Sequence, residues 1–350
     1  MSLPTQQKAL LVPLKGKFYL GSSNVNQPGP GEVLVRIEAT ALNPVDWKIP
    51  EAGYFVTEWP AILGTDSAGV VVAVGEGVSK FTAGDKIFHQ GYFTNRLATF
   101  QEYTIIRAEI AAKIPSNLTF DQAASIPLGF TTAAVGLYAP SWAQGGFNLT
   151  PPWKPEGKNK YAGQPIVIFG GSSSVGTYAI QLAKLSGFSP IITTVSPHNS
   201  EFVKSLGATH TIDRSLSPSE IAAEAIKITS APLKIVYDAI SLGPTQQAAF
   251  EVLAPGGSLL LVLPSQIPKE KVTGDTKVIT TFGSVHAPDN ASFGVDLYNH
   301  ITELFASGEI KPNVVEVLPG GLAGIPEGLE RMKKDLVSGK KLVAHPTETA

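Results

Sequence analysis

Two rhythms of apolar residues divide this chain. Near its start, Val33, Val35 and Ile37 alternate with Leu34, Arg36 and Glu38, close to the period of two of a strand with one buried face. Residues 8–12 and 70–74 are further short apolar runs, the second closed by Gly75 and Gly77. Residues 26–32 are rich in proline and glycine, and 78–88 read as a turn feeding another strand. Short strands with this punctuation predict a compact β-rich domain. Past residue 164, apolar runs alternate with stretches of helical spacing. Strands are expected over 165–169, 191–195, 209–212, 233–237, 258–263 and 278–282, and helices over 175–185, 201–206, 218–228 and 245–253. Strands alternating with helices predict a parallel, doubly wound sheet, so the fold class is α/β.

Two segments fit neither rhythm. Residues 138–164 hold Pro140, Pro151, Pro152, Pro155 and two tryptophans, and read as a surface loop or a linker. Loops of that length are uncommon inside a domain and are often functional. The tail has amphipathic helical patterns over 296–307 and 325–338 around a strand-like 314–317, and is expected to return to the first domain. The expected division is 1–127 with 286–350 for the β-rich domain, and 128–285 for the sheet domain with an insertion at 139–164. There is no internal repeat.

Composition narrows the function. A chain of 350 residues suggests two domains. A net charge of -2 without a basic block argues against a nucleic-acid or anionic-membrane partner. The aliphatic run 259–263 is cut by Pro264, well short of a membrane span. Neither end carries a signal or lipidation pattern, so a soluble, cytoplasmic protein is expected. With 0 cysteines, disulfides, thiolate catalysis and cysteine-based zinc sites are excluded.

The strongest motif follows the strand at 165–169. Gly171-Ser172-Ser173-Ser174-Val175-Gly176 reads G-x-S-x-x-G between a strand and a helix. Gly171 is expected to make the tight turn, and Gly176 to let helix and sheet approach closely. Backbone N–H groups at the helix start would then bind a pyrophosphate. It is not a P-loop, since Thr177 follows Gly176 where lysine is required. Sites that take NAD place an acid after the next strand for the ribose hydroxyl. Here Ser196, His198 and Asn199 stand there, with Arg214 after the third strand. Donors without an acid suit a 2′-phosphate, so the expected cofactor is NADPH.

The order of these parts resembles the medium-chain dehydrogenase/reductase superfamily: a GroES-like β-rich catalytic domain, then a Rossmann domain, then a return. Asn43-Pro44-Val45-Asp46-Trp47-Lys48 looks like the N-x-x-D region of its quinone-reductase branch, and residues 64–71 look like its G-H-E-x-x-G-x-V segment. Asn43, Thr65 and the neighbourhood of Leu128 stand where zinc-dependent members carry their ligands, and the structural zinc lobe is missing. Within the zinc-free branch the likeness is closest to fungal trans-acting enoyl reductases of polyketide pathways. It rests on Ser186-Gly187-Phe188, residues 196–199, the insertion after Tyr138, and residues 339–343. The resemblance implies that the nucleotide is held by Asn43, Pro44, Val45, Asp46, Ser172, Ser173, Ser174, Val175, Ser196, His198, Asn199, Arg214, Leu263 and Lys341. Relatives often have tyrosine where Arg214 stands.

The implied chemistry is hydride transfer to the β-carbon of an α,β-unsaturated carbonyl, with charge developing on the carbonyl oxygen. Lys48 and Tyr54 are the candidate proton or hydrogen-bond donors. Asn43 is a candidate for orienting the cofactor, and Asp46 for holding its loop. Leu128, Thr132, Phe282 and Phe293 are candidate substrate walls, and few charges lie near them, so an apolar substrate is expected. A carrier-protein-bound or thioester substrate and a monomeric or homodimeric state both accord with the resemblance. Two other functions remain open: a quinone or carbonyl reductase on the same scaffold, and a non-catalytic NADPH-binding partner protein.

Overall fold

The protein, represented by a computed structural model, is described over residues 3–140 and 145–350. It divides into two compact units: Met1–Leu128 with Gly294–Ala306 and Pro312–Ala350, and Gly129–Phe293 with Ser307–Lys311. The chain opens with β1 (Gln6–Val12), β2 (Tyr19–Asn24), β3 (Glu32–Ala41), α1 (Pro44–Ala52), β4 (Ala61–Ile62), β5 (Asp66–Val74), β6 (Lys86–Gln90), β7 (Tyr103–Arg107), β8 (Ala111–Lys113) and α2 (Phe120–Ala124). Helix α3 (Pro127–Tyr138) leads into β9 (Ile166–Phe169), α4 (Ser174–Leu185), β10 (Ile191–Val195), α5 (Ser200–Leu206) and β11 (His210–Asp213). Next come α6 (Pro218–Ile228), β12 (Ile235–Asp238), α7 (Gly243–Val252), β13 (Ser258–Leu261) and β14 (Lys277–Thr280). The tail supplies α8 (Ala291–Ala306), β15 (Val315–Val317), α9 (Ile325–Lys333) and β16 (Lys341–Ala344).

The first unit is built on a sheet ordered β15-β16-β3-β5-β6-β8, with β7 also pairing β3, beside a small sheet ordered β2-β1-β4. The tail therefore returns to the first unit as expected: β16 runs antiparallel to β3, with Val343 opposite Ala41. The alternation in β3 only half describes it. Leu34 on the nominally polar face is 1% exposed, because it packs with Val25 and Ile105. The second face of β3 is thus partly covered, with Leu34 and Thr40 buried and Arg36 exposed.

In the second unit the sheet runs β11-β10-β9-β12-β13-β14, and every pair is parallel. Val167, Phe169, Ile192, Val236, Leu259 and Leu261 form a core with Ile221 and Ala225 of α6 and Ala249 and Val252 of α7. The order reverses direction between β9 and β12, which is where such sheets open a crevice for ligands.

Three differences from expectation have physical causes. Helix α3 gives no amphipathic signal because it is buried nearly all round; Gly136 lies so close to Tyr237 that an added methyl would meet its ring at 2.6 Å. Residues 138–140 and 145–164 are a loop of the second unit, with an exposed stretch at 158–160 but anchored on that unit, and not a linker. Phe147 N–H donates to the Gly136 carbonyl at 2.9 Å, and Tyr161 stacks on Phe188 at 5.0 Å. Residues 141–144 of that expected insertion lie outside the described residues. The boundary expected at 286 falls at Gly294. Asn290 Nδ2 bonds the Phe282 and Ser284 carbonyls, holding this stretch in the second unit. Lys311 N–H donates to Gln181 Oε1 at 2.7 Å and keeps 307–311 there as well.

One histidine at the surface of the first unit bridges two carboxylates, an arrangement expected to depend on pH. His345, just after β16, has Nε2 2.7 Å from Asp121 Oδ1 of α2 and Nδ1 2.9 Å from Glu348 Oε1. Only the imidazolium has an N–H for both. Burial pulls its pKa down, but the bonds to Glu348 and Asp121 outweigh this, and the group ends above its ordinary 6.5. Its contribution to stability is thus fully present below the unfolded-state value and is lost as pH rises through the folded one. His345→Asn is expected to lower the urea midpoint most between about pH 5 and 6.5, with the gap closing toward pH 9. A gap that stays constant with pH would refute the assignment.

Candidate functional site

The predicted residues fall into two groups, one in each unit. In the second unit the phosphate loop connects β9 to α4. Gly170, not Gly171, makes the tight turn: it has φ +75° and its carbonyl accepts from Ser173 N–H at 2.9 Å. Gly171 serves close approach instead, since a methyl there would sit 2.2 Å from Thr193 Oγ1. A methyl at Gly176 would sit 2.2 Å from the Gly170 carbonyl oxygen. Ser173 caps α4, its Oγ accepting from Gly176 N–H at 3.0 Å. Ser172, Ser174 and Val175 complete the loop at the N-terminus of this 12-residue helix, which presents N–H groups and a partial positive charge to an anion.

The neighbouring strand ends converge on this loop. Thr194 at the end of β10 accepts from Gly171 N–H through its carbonyl and from Gly170 N–H through Oγ1, both at 3.0 Å. Beyond β10 come Ser196, the exposed His198 and the buried Asn199, and no acid. Arg214 is exposed after β11, and its N–H donates to the Val195 carbonyl at 3.1 Å, which places it beside the end of β10. Sequence reasoning missed the loop after β12. Asp238 Oδ1 accepts from Ile240 and Ser241 N–H, and Oδ2 accepts from Thr245 Oγ1 at 2.8 Å. Burial raises the Asp238 pKa against these bonds. The network holds Ser241 at φ +56° and sets Ile240 against Gly170. The visible signal was the Asp238-x-x-Ser241 spacing directly after a strand. Ser241 Oγ in turn accepts from Val262 N–H, beside Leu263 past the end of β13.

Of the candidate substrate walls in this unit, Thr132 packs against Gly283, next to Phe282; a methyl on Gly283 would meet Thr132 Oγ1 at 2.2 Å. Phe293 lies 6.1 Å from Trp153 of the long loop. Leu128 belongs to the other group.

In the first unit, Asn43, Asp46, Thr65, Asp66 and Lys341 form a buried polar cluster. Asp66 Oδ1 accepts from Leu128 N–H at 2.6 Å, and Oδ2 from Asn43 Nδ2 at 2.8 Å and from Lys341 Nζ at 2.9 Å. Asn43 Nδ2 also donates to Thr65 Oγ1 at 3.1 Å, and its Oδ1 accepts from Lys341 Nζ. Asp46 Oδ2 accepts from Asn43 N–H at 2.8 Å and Oδ1 from Gly64 N–H at 3.2 Å. Burial pushes the Asp46 carboxyl up to about 7 against the Asn43 bond, with nearby Asp66 adding to the rise.

Pro44 opens α1 at a position where its missing N–H costs nothing. One turn on, Lys48 is half-buried with its Nζ 5.4 Å from the Trp47 ring centroid, and burial alone lowers its pKa. Gly53 at φ +75° ends the helix. Tyr54 follows, 37% exposed, edge-on to Phe55 at 4.8 Å. Phe55 stacks on Phe93 at 5.0 Å and holds φ +66°, a conformation that bulky residues rarely adopt.

Comparison with known proteins assigns this arrangement to a family. The alcohol dehydrogenase GroES-like domain matches residues 29–116, and the zinc-binding dehydrogenase domain matches 174–284. A trans-enoyl reductase of Aspergillus japonicus is 34% identical over 89% of each chain. The enoyl reductase component of the lovastatin nonaketide synthase of Aspergillus terreus is 31% identical over 89% of this chain and 88% of that one. The chain belongs to the medium-chain dehydrogenase/reductase superfamily, among the trans-enoyl reductases. A solved alcohol dehydrogenase superfamily protein from Novosphingobium aromaticivorans shares the fold, with a TM-score of 0.79 and 28% identity over 96% of this chain and 98% of that one. This superfamily binds pyridine nucleotides, and the glycine-packed loop at the start of α4 fits a dinucleotide pyrophosphate.

The second domain name also implies zinc, and the residues here do not fit it. Asn43, Thr65 and Leu128 offer an amide, a hydroxyl and an aliphatic chain, where zinc takes thiolate, imidazole or carboxylate. Of the two carboxyls in the cluster, Asp66 is already paired with the Lys341 ammonium and Asp46 with the Asn43 and Gly64 N–H groups. Among the described residues no group of three His, Asp or Glu is placed to hold a metal ion.

Gly176→Ala is expected to lose about 1–3 kcal/mol of stability, since the neighbour it strikes is backbone. The displaced loop is expected to weaken pyridine-nucleotide affinity about tenfold or more. Calorimetric titration of folded variant and parent checks this, and equal affinities would show that the loop does not hold the nucleotide.

Proposed function

We propose that the protein is an NADPH-dependent, zinc-independent enoyl reductase, which saturates the carbon–carbon double bond of an apolar α,β-unsaturated acyl thioester or enone. The observation that carries this reading is likeness over nearly the whole chain to reductases named for enoyl groups, at 31–34% identity. One of those relatives is named as a component of a polyketide-type synthase, which favours a substrate presented as a thioester on a separate carrier. NADPH over NADH is supported by the lack of an acid after β10 and by Arg214 beside Val195.

Bound NADPH would supply the hydride that the β-carbon accepts. This chain's residues would then bind and orient. The loop from Gly170 to Val175 would take the pyrophosphate, and Ser196, His198, Asn199 and Arg214 the 2′-phosphate. Lys48 is assigned to the carbonyl oxygen, where charge develops as the enolate forms. Among the described residues its ammonium pairs with no carboxylate, so its N–H donors remain for a substrate. A proton from water then adds to the α-carbon, releasing hydroxide to the solvent, and completes the saturated product. Tyr54 is exposed and sits in the aromatic run with Phe55, and is assigned to substrate contact rather than proton transfer.

Purified protein in the presence of a chelator is expected to oxidise NADPH with an enone or enoyl thioester and to yield the saturated carbonyl by mass spectrometry. Turnover restricted to quinones or saturated aldehydes would overturn the reading, as would nucleotide binding without any turnover. Lys48→Met is expected to lower kcat by about 10²-fold or more. The parent should also lose kcat on the basic side at a pH below the ordinary lysine value of 10.5. Arg214→Ala is expected to weaken NADPH about tenfold and to leave NADH unchanged, measured as KM for each.

A further inference from the structure

We propose that Lys341 is a positioning residue: its buried ammonium takes the central place in the cluster, locks the Asn43 amide, and through Asn43 fixes the first turn of the helix that carries Lys48. The inference rests on the role given to Lys48 above, and it replaces the cofactor contact that resemblance implies for Lys341.

The geometry supports each link. Lys341 is 4% exposed and Asp66 fully buried, so their pair is shut off from solvent. The ammonium has only donors, and its two partners are Asp66 Oδ2 and Asn43 Oδ1. Because Lys341 requires an acceptor, Asn43 must turn Oδ1 toward it and Nδ2 toward Thr65 Oγ1 and Asp66 Oδ2. With the amide set, Asn43 N–H donates to Asp46 Oδ2, and Asp46 N–H donates back to the Asn43 carbonyl at 3.0 Å. That reciprocal pair defines the first turn of α1, which continues through Trp47 and Lys48.

Charge balance supports the same role. The cluster buries two carboxyls and one ammonium. Asp66 takes the ammonium, while Asp46 is answered by two backbone N–H groups and is pushed toward its neutral form. Removing Lys341 leaves Asp66 to Leu128 N–H and Asn43 Nδ2, and leaves Asn43 Oδ1 without its donor; removing the Asp66 charge as well frees the amide to turn over. A nucleotide phosphate contact would require the Lys341 ammonium to leave this buried pair, at a large cost in desolvated charge.

The test uses Lys341→Met, the double variant Lys341→Met with Asp66→Asn, and Lys341→Arg, all in the full chain. The double variant removes both charges and so avoids stranding a buried carboxylate. It is expected to fold, to keep NADPH affinity within about twofold, and to lose kcat about tenfold or more. Lys341→Arg, which keeps charge and donors, is expected to recover part of that kcat, and it carries the test if the double variant does not fold. A second readout needs no turnover. In 5-fluorotryptophan-labelled protein, with 4 tryptophans, the fluorine resonance of Trp47, identified by Trp47→Phe, is expected to shift or broaden in the double variant while Trp153 of the second unit does not. Wild-type kcat with an unmoved Trp47 resonance would overturn the proposal. So would a large loss of NADPH affinity at unchanged kcat, which would return Lys341 to the cofactor. Should the parent itself lack ene-reductase turnover, that function fails, and the Trp47 resonance still decides whether Lys341 positions α1.

Discussion

A carboxylate with no exposed surface must be answered by donors, and Asp66 is answered by three. They come from distant parts of the chain: Asn43 after β3, Leu128 at the start of α3, and Lys341 in β16. Lys341 and Asn43 are 298 residues apart in sequence. Their meeting depends on β16 lying against β3, the pairing through which the tail rejoins the first unit. Buried polar groups of this kind add little to stability when satisfied, but they penalise every arrangement that leaves one of them alone. The cluster therefore selects one register for β16 and one orientation for Asn43, and both ends of the chain are needed to build it.

The second unit depends on a different constraint, the close approach of backbone to backbone. Gly176 touches the Gly170 carbonyl, Gly171 touches Thr193, and Ile240 covers Gly170. The phosphate loop is thus defined by what cannot fit there, and the amides at the start of α4 are held at the point where the strand order reverses. The loop after β12 takes part through Asp238, whose carboxylate does for Ile240, Ser241 and Thr245 what an external anion would otherwise have to do.

How much of this could be read from sequence follows from which signals are local. The central strands β9 and β10 were legible because burial on both faces leaves continuous apolar runs, and α6 because it has one apolar face. Helix α3 was hidden, since a helix buried all round has no polar face to mark it. α1 was seen as a motif and not as a helix, being short and holding Pro44 and Pro50. The glycine motif was found, yet the turn was given to Gly171 where Gly170 makes it, because spacing alone does not report φ. Lys341 was singled out by likeness and Asp66 by its motif, but nothing local couples them. Their ion pair exists only once β16 has joined the sheet.

The donor set also bears on which reaction suits this scaffold. Reducing a simple ketone places a full negative charge on an oxygen bonded to the carbon that takes the hydride, and that alkoxide calls for a strong Lewis acid or a proton delivered in the same step. Conjugate reduction spreads the charge over an enolate, a weaker base whose oxygen stands two carbons from the hydride acceptor. A hydrogen-bond donor suffices there. Where relatives of the zinc-dependent type hold ligands, this chain holds the amide of Asn43, the hydroxyl of Thr65 and the aliphatic chain of Leu128, a set that does not fit zinc. What it offers instead is Lys48, a half-buried ammonium whose pKa burial lowers, making it a readier proton donor than a solvated lysine. Such a group can answer the charge of an enolate, as the proposed reading requires, but it would also protonate an alkoxide, so the choice of substrate class rests on the likeness to enoyl reductases.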